Sequence, residues 1–108
     1  MTKDTPNMFQ TLRDRHPQII EAVEQLGETV RKEGPLDHKH THLIQLAAAA
    51  SIRSEGAVHS HTRRALEAGA TAEEIRHALL LLVSTIGFPT VVAALSWAED
   101  LLDTESPS

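Results

Sequence analysis

The sequence predicts an all-α fold, a small bundle of about five or six helices. Three observations lead there. Apolar residues make up 41% of the 108-residue chain but aromatics only 3%, so the core has to be assembled from Leu, Ile, Val and Ala, which suits packed helices better than a β-sandwich. The apolar positions recur at helical spacing, and no stretch alternates in the manner of a strand. Gly, Pro and capping residues fall between the periodic segments, where helices must start and stop.

Taken in order, Met8, Phe9 and Leu12 predict a first helical turn or two. Pro17 suits the first position of a second helix, which carries Ile19, Ile20, Val23, Leu26 and Val30 at helical spacing and ends at Gly34-Pro35. Asp37 is the predicted N-cap of a third, with Leu43, Leu46, Ala47, Ala50 and Ile52 as its apolar positions. A fourth runs from about Glu55 to Ala68, and Gly69 supplies the left-handed residue that stops it. Thr71 and Glu74 then form a capping box, the Thr hydroxyl accepting from the third helical N–H while Glu74 reaches back. The helix it opens is expected over Ala72 to Ile86, broken by Gly87-Phe88-Pro89. A last helix follows from Thr90 to Leu102, with Val91, Leu95, Ala98 and Leu102 along one side.

A chain of this length is expected to form one domain over residues 1–108, with polar, frayed ends at 1–6 and 103–108. It buries roughly 65% of the surface its unfolded form exposes, which limits stability unless subunits associate. The helix over Ala72 to Ile86 is apolar nearly all round between Ala78 and Val83, more than a few short amphipathic helices can cover. A homo-oligomer is therefore predicted.

Composition removes several classes of function. Cysteine is absent, which excludes disulfides, thiolate metal ligands, a cysteine nucleophile and any thiol redox chemistry resident in the chain. The net charge of −5, from 10 basic and 15 acidic residues, gives no support for nucleic acid or anionic lipid as a partner. The opening MTKDTPNMFQ lacks the apolar stretch of a secretory signal, and the longest apolar run, Ala78 to Val83, is too short to span a bilayer. The expected location is the cytoplasm.

Histidine is the unusual component, with seven residues, five of them grouped at His38, His40 and His42 and again at His59 and His61. A helix advances about 100° per residue, so His38 and His42 share one face and His40 points elsewhere. Glu55 and His59 are a second i, i+4 pair. His61 lies about 200° round from His59, so the two must face different neighbours. Each group reads in two ways: as solvated polar positions, or as ligands and proton carriers. His16, His77, Arg63 and Arg64 read as surface. Ser54 lies two helical turns from His61, about 10 Å, too far for a nucleophile and its base.

The stretches LDHKHTHLIQLAAAAS, HSHTRRALEAGATAEEIRHALLLLVSTIGFP and AALSWAEDLL resemble the carboxymuconolactone decarboxylase family, which includes the alkylhydroperoxidase D-like proteins. The resemblance covers Leu36 to about Leu101. It implies an all-helical bundle of the alkylhydroperoxidase D-like type, a trimer or hexamer, and a small-molecule pocket beside the helix that carries the family histidine. With His61 as that histidine, Ser54 and Ala57 fall on the two cysteine positions of the peroxidase-like branch, and His42 falls on its glutamate. Serine has no counterpart of the sulfenic acid and disulfide cycle. The decarboxylase branch tends to carry a carboxylate near Ala57, also missing here.

Two readings of function follow. In the first, the protein is a small enzyme that uses His61 and His42 as acid/base groups, or as ligands of a divalent transition metal, on a small organic acid, lactone or peroxide; such an enzyme would be lyase-like or peroxidase-like without cysteine. The candidate ligands are His38, His42 and His61, with Glu55 or His59 arriving from another subunit, and neutral imidazole suits zinc, iron, copper or nickel. In the second, the protein is a non-catalytic oligomer that binds a small molecule or a transition metal.

Overall fold

The computed structural model describes residues 8–105, with side chains described to Leu102. The expectation for residues 1–6 lies outside them, as do residues 106–108. Among the described residues every regular element is a helix: α1 (Met8–Arg15), α2 (Pro17–Lys32), α3 (His38–Ser51), α4 (Glu55–Glu67), α5 (Ala72–Leu80), α6 (Val83–Ile86) and α7 (Phe88–Glu105). None of these is long and apolar enough to cross a membrane. The backbone divides into two compact units, residues 1–35 and 36–108.

The first unit holds α1 and α2. Pro17 opens α2 at its first position, as predicted, and Arg13 of α1 donates to Glu24 of α2 at 2.7 Å. Of the predicted apolar stripe on α2 only Ile20 is buried; Ile19, Val23, Leu26 and Val30 are exposed in the single chain.

In the second unit α3 packs on α4, α4 on α7, and α5 against both α7 and α3. Its core is Leu46, Ala49 and Ala50 from α3, Val58 and Ala65 from α4, Ala70, Ile75 and Leu79 around α5, and Ala94, Ala98 and Leu102 from α7. Six of these eleven are alanines, so the helix backbones approach closely and little volume separates side chains on facing helices.

The local signals that set the boundaries are in place. The Asp37 carboxylate accepts from the His40 N–H, and the Thr71–Glu74 capping box is complete in both directions. Gly69, at φ +103°, ends α4 in a Schellman motif: the Ala70 N–H donates to the Ala65 carbonyl and the Gly69 N–H to that of Leu66. The same motif ends α3, where Ser54 donates to Ala49 and Arg53 to Ala50, but the left-handed residue is Arg53, at φ +56°. Its guanidinium donates to the Thr90 hydroxyl at 3.0 Å.

Two boundaries differ from the sequence reading. The helix predicted over Ala72 to Ile86 is interrupted at Leu81-Leu82, where the Leu82 N–H turns to the Leu79 carbonyl three residues back. Neither Gly nor Pro marks this break, so an unbroken apolar run conceals it. Leu80 and Leu81 are exposed in the single chain, on the helix whose apolar surface the sequence reading assigned to the core or to a subunit contact. The last helix is longer than predicted. Phe88 and Pro89 already belong to its first turn, Gly87 alone at φ +96° makes the connection, and the helical backbone continues to Glu105 through part of the tail expected to fray.

Candidate functional site

The histidines are positioned by α3 and α4, the most closely packed pair in the second unit. Asp37 caps α3 and starts it at His38, which fixes the register of everything that follows. His38 and His42 stand one turn apart, their rings 5.5 Å between centroids. His42 turns into the interface and is 4% exposed, the single buried titratable side chain among those described. There it meets His61 of α4. The two ring centroids are 5.6 Å apart and Nδ1 lies 3.4 Å from Nδ1. The three rings thus touch in series: exposed His38, buried His42, half-buried His61.

Two imidazoles facing through like nitrogens can form a hydrogen bond only if one Nδ1 carries a proton and the other offers its lone pair. Full protonation of both rings would place two cations side by side and remove that lone pair, so the contact is a hydrogen bond only while at least one ring is neutral. Beside it, Thr62 is fully buried and its hydroxyl finds no hydrogen-bond partner among the described residues. His40 points elsewhere, as its spacing requires, and its Nδ1 lies 2.7 Å from Asp37. His16 and His77 are at the surface.

Glu55 and His59 take a different direction. Their one-turn spacing on α4 holds, but the side chain they meet is Asp100 of α7, with His59 Nε2 2.9 Å from the Asp100 carboxylate. Glu55, His59 and Asp100 each offer a ligand atom within 4.8 Å of the other two. Within the chain they thus meet a carboxylate that the sequence reading did not name. Asp100 escaped that reading because it lies 41 residues from His59, and only the packing of α4 on α7 joins them.

The carboxymuconolactone decarboxylase family model matches residues 17–100, from the start of α2 to Asp100. The chain belongs to this family. Two uncharacterised proteins of Methanocaldococcus jannaschii are similar to it. MJ1511 is 31% identical over 86 residues, 80% of each chain, and MJ0742 is 29% identical over 94 residues, 86% of this chain and 90% of its own. As a carboxymuconolactone decarboxylase family member the protein is cysteine-free. The positions aligned above with the two cysteines, Ser54 and Ala57, are here joined by a helix cap: the Ser54 hydroxyl accepts from the Ala57 N–H at 3.3 Å and starts α4. The Ser54 oxygen thus has a structural task, closing the first turn of the helix that carries His61.

Proposed function

We propose that this family member is a small proton-transfer enzyme acting on an organic acid, lactone or peroxide through the His42–His61 pair. The observation that carries the reading is the buried His42 ring with its Nδ1 3.4 Å from that of a more open His61. His61 is the ring that meets substrate, and His42 is the partner that fixes its tautomer. When His61 takes a proton from substrate, its cationic form is stabilised by donating to His42, and the proton returns to product in the second half of the reaction. Imidazole titrates near neutral pH, so neither step needs extreme tuning.

A metal-assisted variant places a divalent transition ion such as zinc, iron, copper or nickel on His38, His42 and His61. The series of ring contacts supports it less directly, because His42 would have to give up its hydrogen bond to His61 to ligate. A binding protein without turnover is the alternative, and the protein is proposed to act as a trimer or hexamer in either case.

The test is turnover of a panel of small lactones, carboxylic acids and hydroperoxides by the tag-free protein and by its His61→Ala and His42→Ala variants. Loss of at least about a hundredfold in either variant, with the oligomer intact, is the expected result for a general acid/base pair. Ligand binding that depends on His61 without any turnover would identify a binding protein.

A further inference from the structure

A second site stands on the other side of α4 from the histidine pair, and its chemistry is that of a metal ligand set. We propose that Glu55, His59 and Asp100 bind a divalent first-row transition ion, with zinc the representative member. One imidazole and two carboxylates are borderline and hard donors, three protein ligands that leave a fourth position for water. Their ligand atoms already lie within 4.8 Å of one another. A tetrahedral ion with bonds of about 2.0–2.2 Å holds its donors about 3.4 Å apart, so side-chain rotation closes the site without backbone movement.

The charge distribution favours a cation over a simple ion pair. Orienting one imidazole takes a single carboxylate, and Asp100 at 2.9 Å already does so. Glu55 brings a second negative charge to the same spot. Among the described residues no Lys or Arg forms an ion pair with either carboxylate. Glu55 is also the first residue of α4, one turn before His59 on the same helix. Two helices, packed through the core, therefore present two carboxylates around one imidazole at a solvent-accessible position.

This site is independent of the proton-transfer reading, and one experiment separates the two. The full chain, tag-free and stripped with chelator, is titrated with zinc chloride by calorimetry. One zinc per chain is expected. His59→Ala and Asp100→Asn should each weaken binding by at least about tenfold, while His61→Ala leaves it unchanged. Asp100→Asn preserves a hydrogen-bonding side chain opposite His59, so it reports on ligation if His59→Ala disturbs the fold. Cobalt substitution gives a second readout, a visible absorption band that disappears in the same two variants. No binding at 100 μM zinc, binding retained in both variants, or binding lost only in His61→Ala would each overturn the proposal.

Discussion

At the scale of single residues, the chemistry is decided by which atoms are absent and which are buried. Ser54 and Ala57 are occupied with starting α4 and contain no sulfur, so no dithiol-dependent peroxidase cycle can run in this chain. Hydroperoxide consumption driven by a dithiol reductant should stay at the uncatalysed rate in a coupled assay without a partner protein. Thr62 makes the converse point. A buried hydroxyl without a partner costs about 1–3 kcal/mol, so the isosteric Thr62→Val is expected to raise stability by about 1 kcal/mol, read as a higher urea midpoint. Ser54 and Thr62 both act on His61, one by starting its helix and one by adjoining it in the chain.

At the scale of helices, boundaries come from short-range hydrogen bonds, and two of them carry a pH dependence. Accepting from the Thr71 N–H and then from Lys39 holds the Glu74 carboxyl below its ordinary value of 4.5, and the His40 backbone and ring hold Asp37 below 3.8. A carboxyl depressed in the folded state stabilises it above the unfolded value, and that contribution disappears as pH falls through the folded value. The melting temperature should therefore fall below about pH 4.5. The gap between wild type and Glu74→Gln should narrow over the same interval, as followed by circular dichroism. Arg53 shows the limit of such signals. A left-handed residue ends α3 just as Gly69 ends α4, but only the glycine is recognisable from its type.

At the scale of the whole molecule, the unburied apolar side chains matter most. Leu81 is 61% exposed and Phe88 62%, and Ile19, Val23, Leu26 and Val30 of α2 are exposed in the single chain as well. Large apolar side chains left open on one chain are candidates for burial between subunits. Light scattering at micromolar concentration should return the mass of a trimer or hexamer, and a monomer mass would remove the expectation.

The sequence by itself determined the all-α class, the caps at Asp37 and Thr71, the stops at Gly69 and Gly87, the absence of thiol chemistry and the family. All but the family, which rests on motifs spread over most of the chain, depend on residue type or on neighbours within about four positions, the range over which helix hydrogen bonding acts. It also separated His59 from His61, since helical geometry sends them in different directions. The resemblance already set His42 opposite His61, and tertiary structure supplied the contact itself, 3.4 Å across 19 residues; it alone decided that His59 meets Asp100, 41 residues away, at 2.9 Å. It likewise decided the break at Leu81-Leu82 inside an unbroken apolar run. Periodicity records which face of a helix is apolar, whereas the partner of a side chain is set by how helices pack, and no local pattern encodes that distance.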